Sequence, residues 1–264
     1  MRLPRQWSAH GPQRCSLAIF VLLSGLLGAG YAQTRVTLTV SAASSLRNAL
    51  TEAEAAYTES HANVGFVNNF ASSGTLAAQI GQGAPVDVFL SAAPKPMDDL
   101  EGEGLIAAGT RRNLLGNSLV LIAPLDSRLR DFQGLTDPAI RSIAVGDPSG
   151  VPAGQYARQT LAALHLLEQL KAKLVFGSDV RQVLTFVETG NADAGLVFAT
   201  DAQVSSKVRV VAVAPESSHD RIVYPAAVVK GSRGEAAARK FVEYLASPSA
   251  QGIFVRNGFT MAPQ

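Results

Sequence analysis

Short β-branched and apolar runs alternate with runs of helical period from residue 34 onward. Val36-Thr37-Leu38-Thr39-Val40 reads as a strand that runs into the small-residue patch Ser41-Ala42-Ala43-Ser44-Ser45. Leu46, Ala49, Leu50, Ala53, Ala56 and Tyr57 then recur at the spacing of one helical face. Residues 64–70 read as a second strand, 75–82 as a short helix stopped by Gly81 and Gly83, and 86–90 as a third strand. A helix starting near Pro94 and Pro96 follows, since proline is tolerated in a first helical turn. The order β-α-β-α-β-α predicts a parallel sheet with helices on its faces.

The second half has the same texture. Strands are expected at 119–123, 142–145, 194–198, 208–213 and 222–229, and helices at 180–188, 234–245 and 249–256. Residues 154–173 read as one long helix carrying Leu161, Leu164 and Leu167, with His165 a structural residue at the edge of that face. There is no internal repeat, low-complexity tract or charge block. No flexible linker divides the halves, yet the chain is large for a single sheet of short βα units. The pattern predicts two α/β lobes joined by crossing strands near Asn117-Ser118 and Tyr224-Pro225-Ala226. Residues 33–116 and 226–264 would form the first lobe, closed by the C-terminal helices, and 117–225 the second. Ligands of such folds sit in the crevice between strand ends and helix starts.

The first 32 residues read differently. Arg2, Arg5 and Arg14 form a basic stretch without acids, residues 15–27 are apolar, and Gly30-Tyr31-Ala32 offers small residues for cleavage. This is the layout of a secretory signal peptide cut after Ala32. The apolar run is short for a membrane anchor, and Cys15 follows Pro-Gln-Arg rather than the small apolar triplet of a lipoprotein. Removal leaves 20 basic against 21 acidic residues, so the formal charge goes from +2 to −1 and the basic balance ceases to point to nucleic acid or membrane surfaces. Cys15, the single cysteine, leaves as well, so the exported product has neither disulfide nor thiol chemistry.

Four places join a strand end to small or hydroxylic residues at a helix start: Ala43-Ser44-Ser45, Ser72-Ser73-Gly74-Thr75, Val151-Pro152-Ala153-Gly154 and Ser178-Asp179-Val180-Arg181. Each reads either as an ordinary turn with a cap or as a helix start that holds an anion, because its first N–H groups have no carbonyl partners. Converging helix starts build positive potential without lysine or arginine, and each is worth roughly 0.3–1 kcal/mol toward an anion, or about 2 when partly buried. Pro152 leaves the amides of Ala153 and Gly154 as the donors of its motif, and Gly154 permits close backbone approach.

These segments, with Gly83-Ala84-Pro85-Val86-Asp87-Val88-Phe89-Leu90-Ser91-Ala92, Leu115-Gly116-Asn117-Ser118-Leu119-Val120, Gly146-Asp147-Pro148 and Gly258-Phe259-Thr260, resemble the periplasmic molybdate-binding proteins of ATP-driven transporters, in order over nearly all of residues 34–264. The resemblance implies a type II periplasmic binding fold whose lobes close over one tetrahedral oxyanion, molybdate or tungstate. It implies delivery to an ABC permease and its ATPase, a monomeric receptor in the periplasm, no cofactor and no nucleic-acid partner. Residue by residue, it implies hydroxyl and backbone donors from Ser45 and Ser73 and backbone donors from Ala153 and Val180. The fifth ligand position is usually a tyrosine and is Phe198 here, a departure that removes one hydroxyl. A charged hydrogen bond is worth roughly 1.5–3 kcal/mol, so selectivity is open at this position, with a water or the Thr200 hydroxyl as substitutes.

Sulfate or another tetrahedral oxyanion is the alternative ligand. Phosphate is less favoured because its proton wants a carboxylate, and none lies inside the four motifs; Asp87, Asp147, Asp179 and Asp201 flank them. A non-transport sensor and a hydrolase are the readings from other classes. His61, His165 and His219 have no ligand-like spacing and no nucleophile elbow accompanies them, so an enzyme is not expected.

Overall fold

The computed structural model describes residues 35–262. The signal-peptide expectation for residues 1–32 lies outside them. Within them the chain runs β1 (Val36–Ala43), a 3₁₀ turn (Ser44–Leu46), α1 (Arg47–Ser60), β2 (Val64–Ala71), α2 (Ser73–Gly81), β3 (Val88–Leu90), α3 (Pro94–Gly102) and β4 (Arg112–Gly116). It continues through β5 (Leu119–Pro124), β6 (Ile143–Gly146), α4 (Pro152–Ala163), α5 (Leu167–Leu170), β7 (Leu174–Gly177), α6 (Val180–Glu188), β8 (Ala194–Phe198), α7 (Ala199–Gln203) and β9 (Val208–Val213). The last elements are β10 (Val223–Val228), α8 (Glu235–Leu245), α9 (Pro248–Arg256) and β11 (Thr260–Met261).

The strands form two sheets, a six-stranded one ordered β11-β4-β10-β3-β1-β2 and a five-stranded one ordered β7-β6-β8-β5-β9. The chain leaves the first sheet after Gly116, enters the second at Leu119, and returns between Val213 and Val223. The expected parallel βα order holds for β2-β1-β3, but both sheets are mixed. In the first, β10 runs antiparallel to β3 and β4. In the second, β7, β6 and β8 are parallel while β5 is antiparallel to β8 and β9. The antiparallel strands arise where the chain passes from one sheet to the other, which a βα repeat does not encode.

Leu38, Val40 and Ala42 of β1 are fully buried, on a strand paired in parallel with β2 on one side and β3 on the other. Tyr57 of α1 and Phe241 of α8 meet Phe66 of β2 in edge-to-face and tilted contacts at centroid distances of 4.5–6.1 Å. The C-terminal α9 packs on α1 and β11.

The single helix expected at 154–173 is broken. α4 ends at Ala163, His165 adopts a left-handed backbone with φ of 59°, and the chain restarts as α5, a 3₁₀ turn at Lys171–Lys173 and then β7. His165 thus marks a helix end rather than a position on a continuous face. The left-handed residue lets the Leu166 amide reach back to the Leu161 carbonyl at 2.8 Å, a helix-ending bond that overrides the leucine periodicity.

Candidate functional site

The strand ends put the four helix starts between the two sheets. β1 delivers Ser44 and Ser45 into the 3₁₀ turn, and α6, which begins at Val180, packs against that turn. β2 delivers Ser73 as the first residue of α2. The next amide, Gly74, donates to the carbonyl of Gly150, two residues before α4, at 2.9 Å. Elements of the first sheet therefore meet elements of the second in two pairs. Arg181 adds a third link, donating from Nη2 to Asn48 Oδ1 of α1 at 3.3 Å.

Ser45, Ser73, Ala153, Val180 and Phe198 are all buried. Ser72 caps α2 by accepting from the Thr75 amide, and Asp179 caps α6 by accepting from the amides of Arg181 and Gln182. Those caps serve the second and third amides and leave the first alone. Among the described residues, the amides of Ser45, Ser73, Ala153 and Val180 donate to no protein acceptor. Buried amides without acceptors are rare and costly, which makes this set a demand for an acceptor from outside the chain.

The two hydroxyls differ. Ser73 Oγ accepts from the Ala92 amide at 2.9 Å, which leaves its own proton free. Ser45 Oγ lies 3.1 Å from the hydroxyl of Tyr224, on β10. Burial pushes the Tyr224 phenol well above its ordinary pKa of 10.0, so it stays protonated. Asn117, in the connection between the sheets, donates to both Tyr224 and Thr200, at 3.2 and 2.9 Å. Phe198 carries no donor and packs edge-on against Tyr156 and Tyr224, at centroid distances of 6.2 and 5.7 Å. The Thr200 hydroxyl is engaged by Asn117. Sequence reasoning placed Tyr224 and Asn117 only at the crossings between the lobes, because the contact of Tyr224 with Ser45 and Asn117 forms only on the return of β10 to the first sheet.

Gly154 has a different reason from the expected one. A Cβ there would collide with the carbonyl of Gly146 at the end of β6, so the glycine lets α4 seat against the strand and thereby places the Ala153 amide. Behind α6, Arg181 Nε lies 2.5 Å from Oδ1 of the fully buried Asp201. Burial raises the Asp201 carboxyl to about 6, with Arg181 opposing. Asp147 is lowered by the amide and hydroxyl of Ser149, its loop neighbours. Among the described residues no three His, Cys, Asp or Glu side chains group as a metal site, and no helix is long and apolar enough to cross a membrane.

A cavity of about 450 Å³ is lined by both Gly74 and Gly150, and a second of about 520 Å³, lined by Tyr156 and Arg158, shares Lys95 and Gln155 with it; none of the five expected ligand residues lines either.

Two mixed α/β sheets joined by two crossings of the chain, with buried helix starts between them, define a two-lobed type II periplasmic binding fold. The chain belongs to the bacterial extracellular solute-binding protein family, whose model matches residues 38–260. It is 42% identical over 258 residues to YvgL of Bacillus subtilis (strain 168), whose name describes an ABC transporter substrate-binding lipoprotein, covering 94% of this chain and 98% of that one. It is 40% identical over 245 residues to the molybdate-binding protein ModA of Haemophilus influenzae, covering 91% and 95%. The solved periplasmic molybdate-binding protein of Azotobacter vinelandii matches with a TM-score of 0.77 at 28% identity, covering 86% of this chain and all of that one.

Proposed function

We propose that this protein is an exported receptor that captures molybdate, and tungstate by the same geometry, between its lobes and delivers it to an ABC permease. The observation that carries the reading is the set of buried amides at Ser45, Ser73, Ala153 and Val180 that lack protein acceptors where the two sheets meet. Donors without a compensating cation suit a small dehydrated dianion that must later be released. The names of the relatives, two of them molybdate-binding proteins, support the same ligand.

In this reading Ser45 and Ser73 bind first, and hinge closure at 117–118 and 214–222 brings in the amides of Ala153 and Val180. Phe198 walls the site without donating. The receptor acts as a monomer, reaches the periplasm by loss of residues 1–32, and performs no chemistry itself.

Calorimetry and thermal shift with molybdate, tungstate, sulfate and phosphate on residues 33–264 test this. A ligand at 1,000 times its Kd stabilises by about 4 kcal/mol, and molybdate and tungstate are expected to do so. A response to sulfate alone replaces the ligand; silence toward all four overturns the receptor reading.

A further inference from the structure

We propose that Tyr224, held by Asn117, is a positioning residue that turns the Ser45 hydroxyl proton toward the bound anion. The inference rests on the reading of Ser45 as an oxyanion ligand.

The direction of every proton in the chain of hydrogen bonds is fixed at one end. The Ser118 amide can only donate, and it donates to Asn117 Oδ1 at 2.9 Å. Asn117 must therefore present Nδ2 to Tyr224 and Thr200, at 3.2 and 2.9 Å. An amide nitrogen offers no lone pair, so the Tyr224 oxygen accepts from it. The phenol keeps its single proton, and the partner left for that proton is Ser45 Oγ at 3.1 Å. Ser45 thus receives a hydrogen bond from Tyr224 and cannot spend its own proton there. That proton has no acceptor among the described residues, and the donated bond polarises the hydroxyl and strengthens it as a donor.

The chain also joins the lobes. Thr200 sits in α7 beside the second sheet, Asn117 in the connection, Tyr224 on β10, and Ser45 in the 3₁₀ turn that follows β1 of the first sheet. Ser45 is therefore set by groups on both sides of the hinge.

A double-mutant cycle read by calorimetry with molybdate at pH 8 tests this, with each variant's folding checked by its thermal transition. Ser45→Ala is expected to weaken binding about tenfold or more, and Tyr224→Phe about three- to tenfold. The losses should not multiply: in the Ser45→Ala background, Tyr224→Phe should change affinity less than about twofold. In a Ser73→Ala background the two losses should multiply in full, whereas a merely structural disturbance would behave alike in both. Unchanged affinity in Tyr224→Phe, or losses that multiply with Ser45→Ala, overturns the proposal while leaving Ser45 as a ligand. Unchanged affinity in Ser45→Ala overturns the ligand reading itself. If Tyr224→Phe does not fold, Asn117→Ala takes its place in the same cycle with the same criteria.

Discussion

Glu54 Oε2 accepts a 2.7 Å hydrogen bond from Asn68 Nδ2, while Glu54 Oε1 and Asn68 Oδ1 each have no partner among the described residues. The pair joins α1 to β2 beneath the protein surface. Only a protonated Glu54 has a hydrogen to offer from its second oxygen. Burial raises its carboxyl from 4.5 to about 7, against the opposing bond from Asn68.

The native state therefore holds this proton more tightly than the unfolded chain. Its contribution is complete below about pH 4.5 and is lost as the pH rises through about 7. Glu54→Gln, which supplies an N–H without a charge, should stabilise the protein at pH 8 by about 1–3 kcal/mol and little at pH 4.5. Urea unfolding of both proteins at the two pH values measures this; equal stability at pH 8 would sink it.

At Gly74 the signs separate. A Cβ there would lie 2.6 Å from the Gly150 oxygen and 2.7 Å from its Cα, so Gly74→Ala obstructs the approach of α2 to the α4 loop. The same change favours the helix by roughly 0.5–1 kcal/mol. The ligand-free protein should melt no lower than the parent, and its affinity for molybdate should fall at least tenfold. Wild-type affinity would mean that ligand capture does not need this contact.

Arg181→Gln leaves the Asp201 carboxylate buried without its cation. Breaking such a pair costs about 3–5 kcal/mol when the remaining group is charged. Asp201 is raised to about 6, so the penalty should be large at pH 8 and much smaller at pH 5, where the carboxyl is neutral. Chemical denaturation of parent and variant at both pH values gives the comparison, and a pH-independent loss contradicts it.

Phe198→Tyr places a hydroxyl among Tyr156, Tyr224 and the candidate donors. Without ligand, an unsatisfied hydroxyl there should cost about 1–3 kcal/mol in stability. With molybdate, the variant should bind more tightly than the parent. Unchanged affinity in calorimetry would show that position 198 does not face the anion.

Much of the architecture is legible in the chain, because strands with β-branched cores and helices with one apolar face carry strong periods. α6 and β8 fall at Val180–Glu188 and Ala194–Phe198, the bounds the pattern predicts. β4 escapes notice because Arg112-Asn113 begins it and only Leu114 and Leu115 are apolar; pairing with β10 and β11 makes it a strand. β7 hides behind α5: it is an edge strand with Phe176 exposed, and its short apolar run looks like the tail of a helix. The helix starts with free amides are local features, so residue types announce them. The bond from Tyr224 to Ser45 spans 179 positions and has no local trace.

The bond from the Gly74 amide to the Gly150 carbonyl is main chain at both ends. Shutting the molecule thus draws on a clasp that is indifferent to what it encloses, gaining as much over sulfate as over molybdate. In the proposed reading, discrimination is left to the hydroxyls and amides inside. The transporter, to empty its receptor, meets the same resistance from this bond whatever the cargo.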